Sequence, residues 1–139
     1  MVQFFWSIVT EQEAEKIAGK KIVKIIKKKG IMLYEKAAEY ALKKGIVIAD
    51  TKFEFGFLGD ELILIDEVLT PDFSRFWDKN DWIPGKSPKN FDKQFVRNYL
   101  EKIKWNKQPP APELPKEVVR KTRERYFEAE RIICGITPF

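Results

Sequence analysis

Ile46-Val47-Ile48-Ala49-Asp50-Thr51-Lys52-Phe53-Glu54-Phe55-Gly56-Phe57-Leu58-Gly59-Asp60-Glu61-Leu62-Ile63-Leu64-Ile65-Asp66-Glu67-Val68 is the stretch that decides the fold. Val47, Ala49, Thr51, Phe53 and Phe55 alternate with Ile48, Asp50, Lys52 and Glu54, which is the period of a β-strand. Gly56 to Asp60 carries the glycines of a hairpin connection, and Glu61 to Val68 reads as the returning strand. In that hairpin Asp50, Lys52 and Glu54 share one face, with Asp66 opposite Lys52 and diagonal to Glu54. Diagonal cross-strand neighbours lie about 7–8 Å apart, near enough for two carboxylates to share one cation. Two carboxylates with water and substrate phosphates make the usual magnesium site, and Lys52 between them offsets their repulsion. The same alternation also suits a solvated hairpin face. Against that, the charged residues are flanked by Ile48, Phe53, Phe55 and Leu62 to Ile65, an apolar setting of the kind found in a central strand, where a carboxylate needs a partner.

Helices flank this stretch on both sides. Thr10 followed by Glu13 forms a capping box at the start of a first helix. Gly19 weakens that helix and Gly30 is expected to bend or interrupt it, before Leu33, Ala37, Tyr40 and Ala41 recur at helical spacing up to a stop at Gly45. Lys20 to Lys29 reads as a solvated face, with phosphate binding as the alternative. Downstream, Pro71 to Ser87 reads as an aromatic, proline-containing loop of functional length. Phe91, Phe95, Tyr99, Val96, Leu100 and Ile103 place an apolar stripe on a helix. Gln108 to Pro112 reads as a stiff extended linker, and Pro115 opens a last helix that ends at Gly135.

Charge is unevenly spread. Residues 11–45 hold ten Lys or Arg against five Asp or Glu, residues 46–81 three against nine, and residues 82–139 thirteen against seven. An acidic island between basic flanks is not the single basic stripe of a nucleic-acid binder, but it suits a bound cation beside bound phosphates. There is no histidine and one cysteine, Cys134, so an internal disulfide and the usual His-based zinc or nucleophile arrangements are excluded. Cys134 is expected to pack as a small apolar filler. With 44% hydrophobic and 14% aromatic residues in 139, one globular domain with a real core is expected. No run of about 18 apolar residues occurs, so no membrane span is expected. The apolar start at Phe4-Phe5-Trp6 lacks the basic residues of a secretory leader, which leaves the cytoplasm as the default location.

Two segments carry a family resemblance. Ile48-Ala49-Asp50-Thr51-Lys52-Phe53-Glu54-Phe55-Gly56 resembles the D-x-K-x-E-F-G signature of SAICAR synthetases. Leu64-Ile65-Asp66-Glu67-Val68-Leu69-Thr70-Pro71-Asp72-Phe73-Ser74-Arg75-Phe76-Trp77 resembles that family's second segment, built on D-E, P-D and S-R-x-W. The likeness continues through Pro84-Gly85-Lys86-Ser87, Phe91-Asp92-Lys93-Gln94-Phe95-Val96-Arg97 and Pro109-Pro110-Ala111-Pro112 into the last helix.

The resemblance implies an α+β fold, an antiparallel hairpin packed by several helices, matching the C-terminal part of the SAICAR synthetase-like (ATP-grasp or kinase-like) fold as one domain over residues 1–139. It implies an ATP- and Mg2+-dependent ligase of purine biosynthesis that joins L-aspartate to carboxyaminoimidazole ribonucleotide through an acyl phosphate. Glu54 and Asp66 resemble the family's magnesium ligands, with Lys52 beside them at the ATP phosphates. Asp50 and Lys52 resemble residues that line the phosphate-transfer site. Asp72, Ser74 and Arg75 resemble the segment holding the imidazole nucleotide, with Arg75 a partner for its phosphate. Lys93 and Arg97 match a basic helix facing the same site, or else an ordinary solvated helix face. The chain departs from the family in carrying no glycine-rich phosphate loop before Asp50. The missing ATP-covering lobe is therefore expected as a partner, or a homo-oligomer formed through Phe4, Phe5 and Trp6. The alternative is a remnant that binds magnesium or nucleotide without catalysis.

Overall fold

The computed structural model describes residues 9–86 and 88–135. Phe4, Phe5 and Trp6, and Ser87 of the proline-glycine segment, lie outside the described residues. Two compact units divide the chain, residues 1–35 and 36–139. The architecture is α+β, with antiparallel strand pairs and four helices among the described residues.

In the first unit α1 (Glu11–Ala18) begins with the expected capping box. The Glu13 amide donates to Thr10 Oγ1 at 3.3 Å, and the Thr10 amide donates to Glu13 Oε2 at 2.7 Å. Gly19, at φ 87, separates α1 from α2 (Lys20–Lys43). The lysines from Lys20 to Lys29 are exposed, as a solvated face requires. Gly30 does not interrupt α2. A single helical glycine costs only about 1 kcal/mol, and the good helix formers on either side of it outweigh that.

The second unit holds the buried core. Gly45, at φ 90, ends α2 and turns the chain into β1 (Ile46–Thr51). Then come β2 (Glu54–Leu58), β3 (Glu61–Ile65), β4 (Ser74–Asp78), α3 (Gln94–Lys102) and α4 (Lys116–Cys134). The periodic stretch is therefore not one long strand: it breaks at Lys52-Phe53, and its two halves enter different sheets. β2 pairs with β3, as expected, but through a two-residue connection at Gly59-Asp60, with Gly56 inside the strand opposite Ile63. Glu54 consequently pairs with Ile65, and Asp66 falls just past β3 with a left-handed backbone, φ 63. The expected register, with Asp66 across from Lys52, is corrected by one residue.

β1 pairs instead with β4, a strand inside the segment read as an irregular loop. Ser74-Arg75-Phe76-Trp77-Asp78 does alternate, but five residues among prolines and aromatics carry too little periodicity to be read alone. On its other side β4 meets the chain again: the Phe91 amide donates to the Phe76 carbonyl at 2.9 Å and the Asp78 amide to the Lys89 carbonyl at 2.9 Å. Ile46, Ile48, Phe76 and Phe91 are buried, with Ala41 of α2 and Ala129 of α4. α4 ends at Gly135 in the left-handed conformation, as read. Cys134 lies on that helix but is exposed, so it is not a core filler. No described helix is long and apolar enough to cross a membrane.

Candidate functional site

A β-bulge builds the site. Along β1, Ile46 faces Asp78 and Ile48 faces Phe76, and Ile46 and Ile48 point into the core. Strict alternation would send Asp50 to that same buried face, opposite Ser74. The register shifts between Ile48 and Asp50, leaving Ala49 without a partner of its own, and Asp50 comes to lie across from Arg75 and Thr51 across from Ser74. A bulge re-aims the residues after it. Here it brings the carboxylate out to the exposed guanidinium and takes the Thr51 hydroxyl in to the buried Ser74, at 2.9 Å.

Asp50 and Arg75 then form a two-point pair: Arg75 Nε donates to Oδ1 at 2.8 Å and Nη2 to Oδ2 at 2.6 Å, the planar geometry that arginine provides and lysine does not. The hydrogen bonds from Arg75 hold the Asp50 carboxyl below the usual carboxylate range. Lys52 follows in the break between strands. Its ammonium is ion-paired with Glu54 and stands 4.7 Å from the centre of the Phe73 ring. Asp50, Thr51, Lys52, Phe73, Ser74, Arg75 and Arg97 together line an open cleft of 410 Å³. Arg97 reaches it from α3.

Behind the cleft lies Asp92, buried to 1% exposure just before α3. Burial raises its carboxyl above the usual range, against the pull of Arg97, a hydrogen bond from the Gln94 amide, and Arg75. A second cluster forms where the Thr70 turn delivers Asp72: Lys93 Nζ lies 3.0 Å from Asp72 Oδ1, and the Tyr126 hydroxyl of α4 donates to the same oxygen at 3.3 Å. Burial and the Asp72 charge push the Tyr126 hydroxyl up to about 12.

Of the residues singled out in the sequence, Asp50, Lys52, Ser74, Arg75 and Arg97 meet in one cleft. Asp72 and Lys93 meet each other but do not line it, and Glu54 is tied to it only through Lys52. Thr51, Phe73, Asp92 and Tyr126 were not singled out. Tyr126 reads as part of an apolar helical stripe and Phe73 as one aromatic among several, so no local signal marks them. Thr51, Phe73 and Asp92 had one hint, since each sits inside a segment carrying the family likeness. As for a cation, among the described residues no group of three or more Asp, Glu, His or Cys side chains converges. Glu54 pairs with Ile65 at the end of the β2–β3 ladder and Asp66 follows Ile65, so a cation held by these two carboxylates would depend on water and phosphate oxygens for its other ligands. That mixed oxygen set fits Mg2+.

Comparison with known proteins gives a consistent picture. A family model described as SAICAR synthetase matches residues 7–112. The phosphoribosylaminoimidazole-succinocarboxamide synthase of Thioalkalivibrio sulfidiphilus is 58% identical over 121 residues, covering 86% of this chain and 40% of that protein. The enzyme of that name from Desulfatibacillum aliphaticivorans is 50% identical over 128 residues, covering 91% and 43%. Among solved structures, SAICAR synthase from Saccharomyces cerevisiae in complex with SAICAR superposes with a TM-score of 0.78 at 39% identity, covering 94% of this chain and 44% of that one. A SAICAR synthetase in complex with ADP superposes at 0.66 with 25% identity, covering 94% and 46%. The chain thus spans less than half the length of the relatives it matches.

Proposed function

The chain belongs to the SAICAR synthetase family, and from that membership we propose that it supplies the nucleotide-carboxylate side of a site where ATP drives the joining of L-aspartate to carboxyaminoimidazole ribonucleotide. The observation that carries the reading is the cleft in which Asp50, Lys52, Ser74, Arg75 and Arg97, all within segments that resemble the family, come together. In this reaction the nucleotide's carboxylate attacks the γ-phosphorus of ATP and ADP leaves. The amine of aspartate then attacks the acyl phosphate carbon and inorganic phosphate departs. Both steps need charge neutralisation and alignment more than a covalent nucleophile, and the chain, with no histidine, is built for that.

Arg75 and Arg97 bind and orient anionic oxygens of the nucleotide. Asp50, held ionised by Arg75, is a poor proton acceptor and a good anchor: it fixes the plane of that guanidinium beside the reacting carboxylate. Lys52 faces the transferring phosphoryl group, with the Phe73 ring limiting its positions. Asp72 and Lys93 form the outer edge of the nucleotide site. Glu54 and Asp66 would hold Mg2+, which would supply neutralisation of the phosphate oxygens. Catalysis in the cytoplasm, with the remainder of a family-length protein present, is part of this proposal. The coverage of the relatives favours a second reading as well, in which residues 1–139 bind magnesium and nucleotide without turnover.

Calorimetric titration with the imidazole nucleotide and ATP, with and without Mg2+, followed by an assay of ADP release, tests both. Magnesium-dependent binding is expected, and Glu54→Gln or Asp66→Asn should abolish the magnesium-dependent part while leaving the circular dichroism spectrum unchanged. Equal affinity in both variants and the parent chain sinks the metal assignment. Binding without ADP release, both by this chain alone and after the part of a relative that precedes the matched region is added, selects the second reading.

A further inference from the structure

We propose that Asp92 is a positioning residue for Arg97: its buried carboxylate holds that guanidinium at the cleft by charge while leaving its N–H donors free for an incoming anion. The inference rests on the reading that the cleft takes an anionic ligand. The two arginines of the cleft are held in different ways. Arg75 spends Nε and Nη2 on Asp50. Arg97 has Nη1 at 3.9 Å from Asp92 Oδ1, inside ion-pair range but too long for a hydrogen bond.

The other half of the pair shows the same incompleteness. Asp92 Oδ1 is buried and has no hydrogen-bond partner among the described residues, although buried carboxylate oxygens are nearly always satisfied. An ordinary helix-capping aspartate does not need this arrangement. The pull of the Gln94 amide on Asp92 at the start of α3 would act equally on an exposed carboxylate or amide. What burial adds is a strong field in a poorly solvated place. Arg97 sits one helical turn along α3, at the mouth of the cleft. Attraction without a short bond keeps it near and uncommitted.

The groups facing Asp92 are Arg97 of α3, Arg75 of β4 and Asp50 of β1, with Tyr126 of α4 also within electrostatic reach. Asp50 titrates below the usual carboxylate range and Tyr126 at about 12. Neither overlaps the upward-displaced titration of Asp92.

The test reads Arg97 directly. In the 15N-labelled chain the Nε–H resonance of Arg97, assigned by its loss in Arg97→Lys, should be distinct at neutral pH and should move as Asp92 titrates. In Asp92→Asn, which keeps an acceptor for the Gln94 amide, it should collapse to the position of a free arginine while the α3 backbone amides stay in place. An Arg97 signal unchanged in Asp92→Asn overturns the proposal. Should that variant fail to fold, the acid titration of the parent chain decides, because an Arg97 signal insensitive to the Asp92 carboxyl overturns it equally. With 5-aminoimidazole-4-carboxamide ribonucleotide as probe, Asp92→Asn should weaken binding about tenfold, the scale of one charge-assisted hydrogen bond. It should weaken binding no further once Arg97→Gln is present. An equal loss in both backgrounds means that Asp92 acts on the fold and not through Arg97. No binding of the probe by the parent chain removes the nucleotide reading, while the Arg97 resonance still decides the role of Asp92.

Discussion

Asp50 and Asp92 both act on Arg75 and are displaced in opposite directions, Asp50 downward by its hydrogen bonds to Arg75 and Asp92 upward by burial. Their effects on stability therefore have opposite signs. Asp50 binds its proton less tightly when folded, so its contribution is present above the usual value of 3.8 and is lost as pH falls through the lower folded value. Asp92 binds its proton more tightly when folded, so its ionisation costs stability above the raised value, and that cost is relieved as pH falls toward 3.8. Carboxyl 13C titration should find one aspartate below and one above the usual range. Asp50→Asn should flatten the acid limb of stability against pH, and Asp92→Asn the limb above it. Two carboxyls titrating together near the usual value would refute the geometry of the cleft. In direct energy the Asp50–Arg75 pair is worth little, about 0–1 kcal/mol, because both side chains are half exposed. Its importance lies in orientation.

Among the elements, the bulge at Ala49 matters most for the site. It lets a strand whose Ile46 and Ile48 face the core present Asp50 to the cleft. Inserting one residue between Arg75 and Phe76 should give Ala49 a partner, restore strict alternation and turn Asp50 and Arg75 toward the buried face. A thermal melt should then show a loss of about 3 kcal/mol or more, the scale of taking such charges out of water, and titration should show no nucleotide binding. Retained binding would mean that the bulge is incidental. The capping box at Thr10, the stops at Gly45 and Gly135 and the β2–β3 hairpin were all legible, since each rests on neighbours within a few residues. The pairing of β1 with β4 was not, because it joins residues more than twenty positions apart and depends on which faces can be buried together.

Across the whole molecule, each sheet among the described residues has only two strands, and isolated two-stranded ribbons are marginal in water. The β2–β3 hairpin leaves Phe57 and Leu58 at 57% and 70% exposure, a surface that further chain or a second copy is suited to cover. We expect that co-expressing the part of a relative that precedes the matched region will raise the melting temperature of this chain and restore ADP release. Unchanged melting and no turnover would favour the reading as a binding module.

By itself the sequence determined the family, through two long motifs, and the chemical types at the cleft: carboxylate beside arginine and lysine, and no histidine. It also determined most helix ends, because capping and glycine conformation are local. Only the tertiary structure decided that the periodic stretch divides between two sheets, that Asp50 meets Arg75 through a bulge, and that Asp92 lies buried behind Arg97. The physical reason is that register and burial are set by distant partners competing for the same core, and no spacing along the chain records that competition.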